Sequence, residues 1–244
     1  MSNNNTLIHY QRTARILTVA CGLLFALFCF LYLYVFQQDL LEAFHYSLAE
    51  GKTRFSPLGT ALWTTGILLL VRWLVNRLLH LKGGVRELAY FPSCLLLGVL
   101  TSVGSAVYQG NAIQTFWMWL LPLLLVLFFG VAYVVGKLWN AYFSRSFDEW
   151  WIINSNLFIL LLLCVMTVSV GNTDIHFHHE LAVEAALKQG DYAKARQVGK
   201  KMVHPSRSLT ALRMYTLSKD KAMGEALFQY PQLYGAEGLL LDGE

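Results

Sequence analysis

Five long apolar runs dominate the chain up to Gly171, at about 16–36, 58–79, 88–107, 116–135 and 151–170. Each approaches the roughly 20 residues that a helix needs to cross a bilayer core. After Asp174 the pattern changes to short amphipathic stretches. Leu181–Lys188 reads as one helix, and Tyr192, Ala195, Val198 and Met202 form the apolar stripe of a second. Leu209, Leu212, Met214 and Leu217 mark a third helix, and 219–228 a fourth, with Pro231 just beyond. The breaks carry their own signals: Gly190 to end a helix, then Asp191 and Ser206 to cap the next ones. The predicted fold class is all-α: a polytopic membrane helix bundle over 1–171 and a small C-terminal helical-hairpin domain over 172–244.

The first run comes after Arg12 and Arg15, as a secretory leader would. It ends Phe30-Leu31-Tyr32-Leu33-Tyr34-Val35-Phe36, with no small-residue cleavage signal, so it reads as a retained first span. Composition agrees with a lipid solvent. Of 244 residues, 56% are hydrophobic and only 14% charged, against roughly a quarter charged in soluble domains.

Charge placement sets an expected orientation. Arg12, Arg15, Arg77, Lys82, Arg86, Lys137 and Arg145 fall on one side of the predicted spans, and only Lys52 and Arg54 on the other. Short-loop Lys and Arg favour the cytoplasm. The expected topology is therefore a cytoplasmic N-terminus and a periplasmic C-terminal domain in a bacterial inner membrane. From Asn172 onward the chain carries nine basic and nine acidic residues. Such a neutral segment offers no basic stripe for nucleic acid. Trp117, Trp119, Trp139, Tyr142, Trp150 and Trp151 flank the last two runs, as headgroup-level anchors do, and Ser146 with Glu149 forms a capping box before the fifth. The four cysteines, Cys21, Cys29, Cys94 and Cys164, all lie in apolar runs and read as small hydrophobes.

Within the runs, Gly98, Ser102 and Ala106 recur at four-residue spacing, a small-residue seam for helix packing. Arg72 lies inside the second run, one turn from Arg77, and is expected to snorkel to the interface. No Asp or Glu is expected deep in a span, which argues against a proton relay or ion-coupled carrier. Between the first two runs, 37–57 predicts an interfacial helix begun at Asp39, with Leu40, Leu41, Phe44 and Leu48 on one face and Gly51 as its stop.

Ala185, Leu187, Gly190, Tyr192, Ala195 and Pro205 fall in the order and spacing of a tetratricopeptide-type helical hairpin, which this segment resembles. The stretch 209–231 resembles a second, shorter unit. The whole layout is similar to bacterial envelope proteins that join an N-terminal multi-pass bundle to C-terminal tetratricopeptide-like hairpins. That resemblance implies an architecture and no catalytic residues. Helix-pair repeats need about three units to stand alone, so this domain is expected to lean on the bundle, on a partner or on further sequence. The tail 238–244, with its Leu239-Leu240-Leu241, reads as a docked tail or a truncation.

No phosphate loop, Gly-x-Ser-x-Gly, His-Glu-x-x-His or Cys-x-x-Cys occurs. One cluster stands out, Asp174-Ile175-His176-Phe177-His178-His179-Glu180. On a helix His176, His179 and Glu180 share a face, a spacing that suits zinc or a similar divalent metal, or acid–base work. The plainer expectation is a helix start capped by Thr173 or Asp174, with no cofactor. Two functions remain open. The first is a non-catalytic membrane subunit or scaffold that docks an envelope protein partner through Leu40, Phe44, Tyr192, Arg196, Arg213 and Tyr215. The second is a membrane enzyme acting on lipid-linked or envelope substrates with the His176–Glu180 cluster.

Overall fold

The computed structural model describes residues 2–49, 54–104, 115–139, 149–231 and 233–235, with side chains from residue 12. Every regular element among them is helical. The bundle comprises α1 (Ser2–Leu31) with a π-helical turn (Tyr32–Phe36), α2 (Gln38–Ala49), α3 (Pro57–Leu79), a 3-10 helix (Gly83–Tyr90) running into α4 (Phe91–Thr101), α5 (Thr115–Leu138) and α6 (Glu149–Val170). Beyond it come α7 (Ile175–Lys188), α8 (Tyr192–Gln197), α9 (Arg207–Lys219) and α10 (Met223–Ala226), closed by a 3-10 turn (Leu227–Gln229). Five elements are long and apolar enough to cross a membrane: Arg12–Phe36, Pro57–Leu79, Gly83–Thr101, Thr115–Leu138 and Glu149–Val170. Their outer faces carry large exposed apolar side chains, among them Leu23, Trp63, Leu70, Trp119, Val126 and Leu161. In water such a belt would be costly; against lipid tails it is matched.

The third apolar element is the centre. It is 61% buried, against 11% to 28% for the other four. Cys94 and Leu97 of α4 meet Cys21, Phe25 and Cys29 of α1, Leu68 of α3, and Leu160 and Leu163 of α6. This element begins earlier than the expected 88–107 and its helix ends at Thr101, since Gly83 takes a positive φ (+63°) and starts a tight 3-10 segment. That shift corrects two expectations. Glu87 is drawn fully into the protein, and Arg72, instead of snorkelling, donates from Nη2 to Glu87 Oε2 at 3.2 Å. The Arg72 guanidinium also lies 4.7 Å from the centroid of the buried Tyr90 ring. A lone buried charge is expensive in lipid, so a carboxylate within reach wins over solvent. Asn156 of α6 secures the same place: its Oδ1 accepts from Glu87 N at 3.2 Å, and its Nδ2 donates to Gly83 O at 3.0 Å.

The small-residue seam is present in part. A Cβ on Gly98 would meet Val170 Cγ1 at 3.0 Å, so Gly98 does set the approach of α4 to α6. Ser102 lies past the helix end and donates from Oγ to Val99 O at 2.8 Å, so it belongs to the helix stop and not to a continuing stripe. Ala106, Ser146, Tyr142 and the tail 238–244 lie outside the described residues.

The elements alternate in direction. Ala14, the end of α3, Gly83, Trp139 and Trp151 gather at one end of the bundle. Tyr32, Thr101 and Gly171 gather at the other, where the C-terminal helices begin. Arg12 and Arg15 on α1 and Arg77 on α3 stand toward the first end.

Candidate functional site

The second end is a dense polar junction between the bundle and α7. Its hub is Asn172, two residues past α6. Asn172 N donates to Thr101 O at 2.7 Å and its Nδ2 to Val103 O at 2.7 Å. Its Oδ1 accepts from Asp174 N at 2.8 Å. Its carbonyl receives Gln37 Nε2 at 3.1 Å and faces His178 Nε2 at 3.1 Å. Every polar group of this residue is therefore used, which pins the exit of α6 to the end of α4 and to the start of α2.

The widened turn at Tyr32–Phe36 supplies the next layer. It buries Tyr32 and Leu33 and delivers Gln37, only 3% exposed, against Asn172. Gln37 Nε2 donates to Tyr32 Oη at 3.2 Å, and Tyr32 Oη stands 3.4 Å from Thr101 Oγ1. Thr101 in turn donates to Leu97 O at 3.0 Å. The only proton order that satisfies all three runs from Gln37 through Tyr32 and Thr101 to that carbonyl. Gly171 packs so closely here that a Cβ would overlap Tyr32 Oη.

His178 completes the junction. Its Nδ1 lies 2.7 Å from Asp39 Oδ2 on α2 while its Nε2 faces the Asn172 carbonyl. Two acceptors facing two ring nitrogens suit the imidazolium, which donates from both. The pKa is raised, chiefly by the hydrogen bond to Asp39, with burial opposing. A ring so engaged is a clasp and not a general base. Beneath it Leu40, Phe44, Val103, Phe177 and Leu181 form an apolar cluster joining α2 to α7. Beside it is a cavity of about 530 Å³, lined by Tyr32, Gln37, Asn172 and His178 above apolar Phe28 and Val168.

Comparison with protein-family models, curated proteins and solved structures found no match to the chain. The geometry therefore carries the assignment of each predicted residue. His176, Glu180 and His179 do not converge: Asp174 caps the helix through His176 N at 2.9 Å, and Glu180 accepts from Ser206 Oγ. The His179 ring packs toward Gly199, and burial and the nearby Arg213 lower its pKa. Among the described residues no three His, Cys, Asp or Glu side chains are grouped to hold a metal ion. The shared helix face is real, but Glu180 and His179 on it turn toward the segment from Gly199 to Arg213, where Ser206 is the partner of Glu180.

Three of the proposed partner contacts are also corrected. Leu40 is 1% exposed and Phe44 half-buried, both under α7. Arg213 is 4% exposed; it donates to Gly199 O, and its guanidinium lies 5.3 Å from the Tyr230 ring centroid. Arg196 pairs with Asp220 at 3.1 Å, and Tyr192 is half-buried. Tyr215 remains open at 53%, and Phe228 at 87%. Helix α8 stops at Gln197, where Val198 turns extended and Gly199 takes a left-handed φ of +60°, although Val198 and Met202 still pack with Val183, Ala186 and Leu209. Sequence reading missed Gln37 and Asn172. Their signal was an amide at the edge of an apolar run, the place where backbone groups leaving a span need partners.

Proposed function

We propose that the chain is a non-catalytic membrane scaffold whose C-terminal helices, similar to a tetratricopeptide-type hairpin pair, dock an envelope partner at a fixed height above the bilayer. On this reading the N-terminus is cytoplasmic and the helices after Asn172 are periplasmic, in keeping with the basic residues at the α1-start end of the bundle. The observation that carries the proposal is the fastening of α7 to α2 through His178–Asp39 at 2.7 Å and the Leu40–Phe177 cluster. Two short helical units need such a support, and it leaves the far side of α9 and the 3-10 turn after α10 as the presenting face. There Tyr215 and Phe228 are exposed beyond the last membrane-length helix. Exposed aromatics outside lipid are typical anchors of protein interfaces.

The His178 clasp supports this reading over the enzyme, because both ring nitrogens already have partners. Photo-crosslinking amino acids placed at Tyr215 and Phe228 in cells test it. The expected result is the same discrete adduct from both positions, lost when the remaining aromatic is changed to Asp. Adducts only to lipid, or none, contradict the scaffold.

A further inference from the structure

The end of the bundle opposite the C-terminal helices holds a cavity that this function does not use. It measures about 690 Å³, within the range of ligand pockets. Among the described residues its lining includes Arg77, Lys82 and Arg86, with His80 beside them, and no Asp or Glu. Two carboxylates occur at this end among the described residues, Glu87 and Glu149, and neither lines the cavity. Glu87 is spent on Arg72 at 3.2 Å. The buried Arg86 Nε has no hydrogen-bond partner among the described residues.

Two tryptophans shape the mouth. Trp73 is exposed and the Arg77 guanidinium lies 5.4 Å from its ring centroid, which holds that cation in place. Trp139 is buried, stacks on Trp151 at 5.5 Å, and lies so close to Gly83 that any side chain there would collide with it. The lower wall is therefore fixed. Leu74 and Leu78 on the adjoining face of α3 are exposed and apolar. A ligand bound here meets cations at its head and an apolar helix surface along its length.

We infer that this cavity binds the phosphate of an anionic glycerophospholipid, with Arg86 and Lys82 on the phosphate and Arg77 at the mouth. The shared chemistry is a phosphate ester, which a soluble compound also offers. The site's place where α3 and α5 end favours the lipid, whose acyl chains run along α3 while its headgroup reaches the cations. The basic residues then do more than set orientation: they converge on one concave site.

The test uses the purified full chain in a neutral detergent, titrated with phosphatidylglycerol or phosphatidylcholine and read by native mass spectrometry. One phosphatidylglycerol should be retained about tenfold more strongly than phosphatidylcholine. Arg86→Gln and Lys82→Gln should each weaken retention by about tenfold, and Arg86→Lys should restore most of it. Lys82 is exposed, so its variant leaves the fold intact. Lys200→Gln, an equal loss of charge in the turn after α8, should change nothing. Equal retention of the two lipids, or equal weakening by Lys200→Gln, overturns the inference. Displacement of the lipid by an equal concentration of glycerol 3-phosphate would assign the site to a soluble phosphate compound and overturn the lipid as its occupant.

Discussion

The two ends of the bundle solve one problem in different ways. Both must bury polar groups where membrane-length helices begin or stop. At the α3-end side the charged pair is local, and Asn156 of α6 braces the backbone around it. Arg72 and Glu87 are only 15 residues apart, and the 3-10 segment folds one onto the other. At the α6-end side the solution is long-range, one amide contact and one charged one: Gln37 reaches Asn172 across 135 residues, and Asp39 reaches His178 across 139. The ionic end resembles a closed core, 0% exposed at Glu87, whereas the clasp is 18% to 20% exposed. One end thus fixes the bundle itself, while the other couples the bundle to α7 and the helices packed on it. Disturbing the first should damage the fold; disturbing the second should loosen the C-terminal helices.

The largest effect should come from Glu87→Ala, which leaves Arg72 buried and unpaired. A loss of about 3–5 kcal/mol is expected from unfolding in mixed micelles. The double change Arg72→Met with Glu87→Leu should recover most of it, because the uncompensated charge is gone. Gly171→Ala should have an effect in the same range as the loss of the His178 side chain. The added Cβ would overlap Tyr32 Oη, so overpacking of about 1–3 kcal/mol is expected, with faster hydrogen exchange at the end of α1.

His178→Ala removes a charge-assisted bond worth about 1.5–3 kcal/mol. It should raise exchange in α2 and α7 while leaving α3 and α4 protected. The pH dependence comes from the raised pKa of His178. Its stabilising contribution is complete below the unfolded value of about 6.5 and fades as pH rises through the higher folded value. His179, held below its ordinary value by burial, works in the opposite sense: its contribution is complete above about 6.5 and is lost as pH falls through the lower folded value. The His178→Ala variant should therefore lose the alkaline weakening and keep the acidic one. The smallest effects belong to the helix caps: Asp191→Ala and Ser206→Ala should each cost about 1 kcal/mol and act only on the C-terminal helices.

Much of this was legible where chemistry is local. Asp174, Asp191 and Ser206 cap α7, α8 and α9, and Gly190 takes the left-handed turn at φ +74°. What failed was tertiary. The apolar face of α2 looks the same whether it lies on lipid or on α7, so Leu40 and Phe44 read as open. Glu87 sits at the ragged start of an apolar run, where hydropathy alone gives no depth. His176, His179 and Glu180 shared a helix face as expected, but His178 pairs with Asp39, 139 residues away on α2, which no local spacing signals.

Both proposals require the basic end and the C-terminal helices to lie on opposite sides of one membrane. Single-cysteine variants at Arg15 and Tyr215 test this with a membrane-impermeant thiol reagent on intact spheroplasts, since Cys21, Cys29 and Cys94 are buried and Cys164 lies half-buried on α6. Tyr215→Cys should react at once, and Arg15→Cys only after lysis. Equal labelling of both in sealed cells would contradict the arrangement.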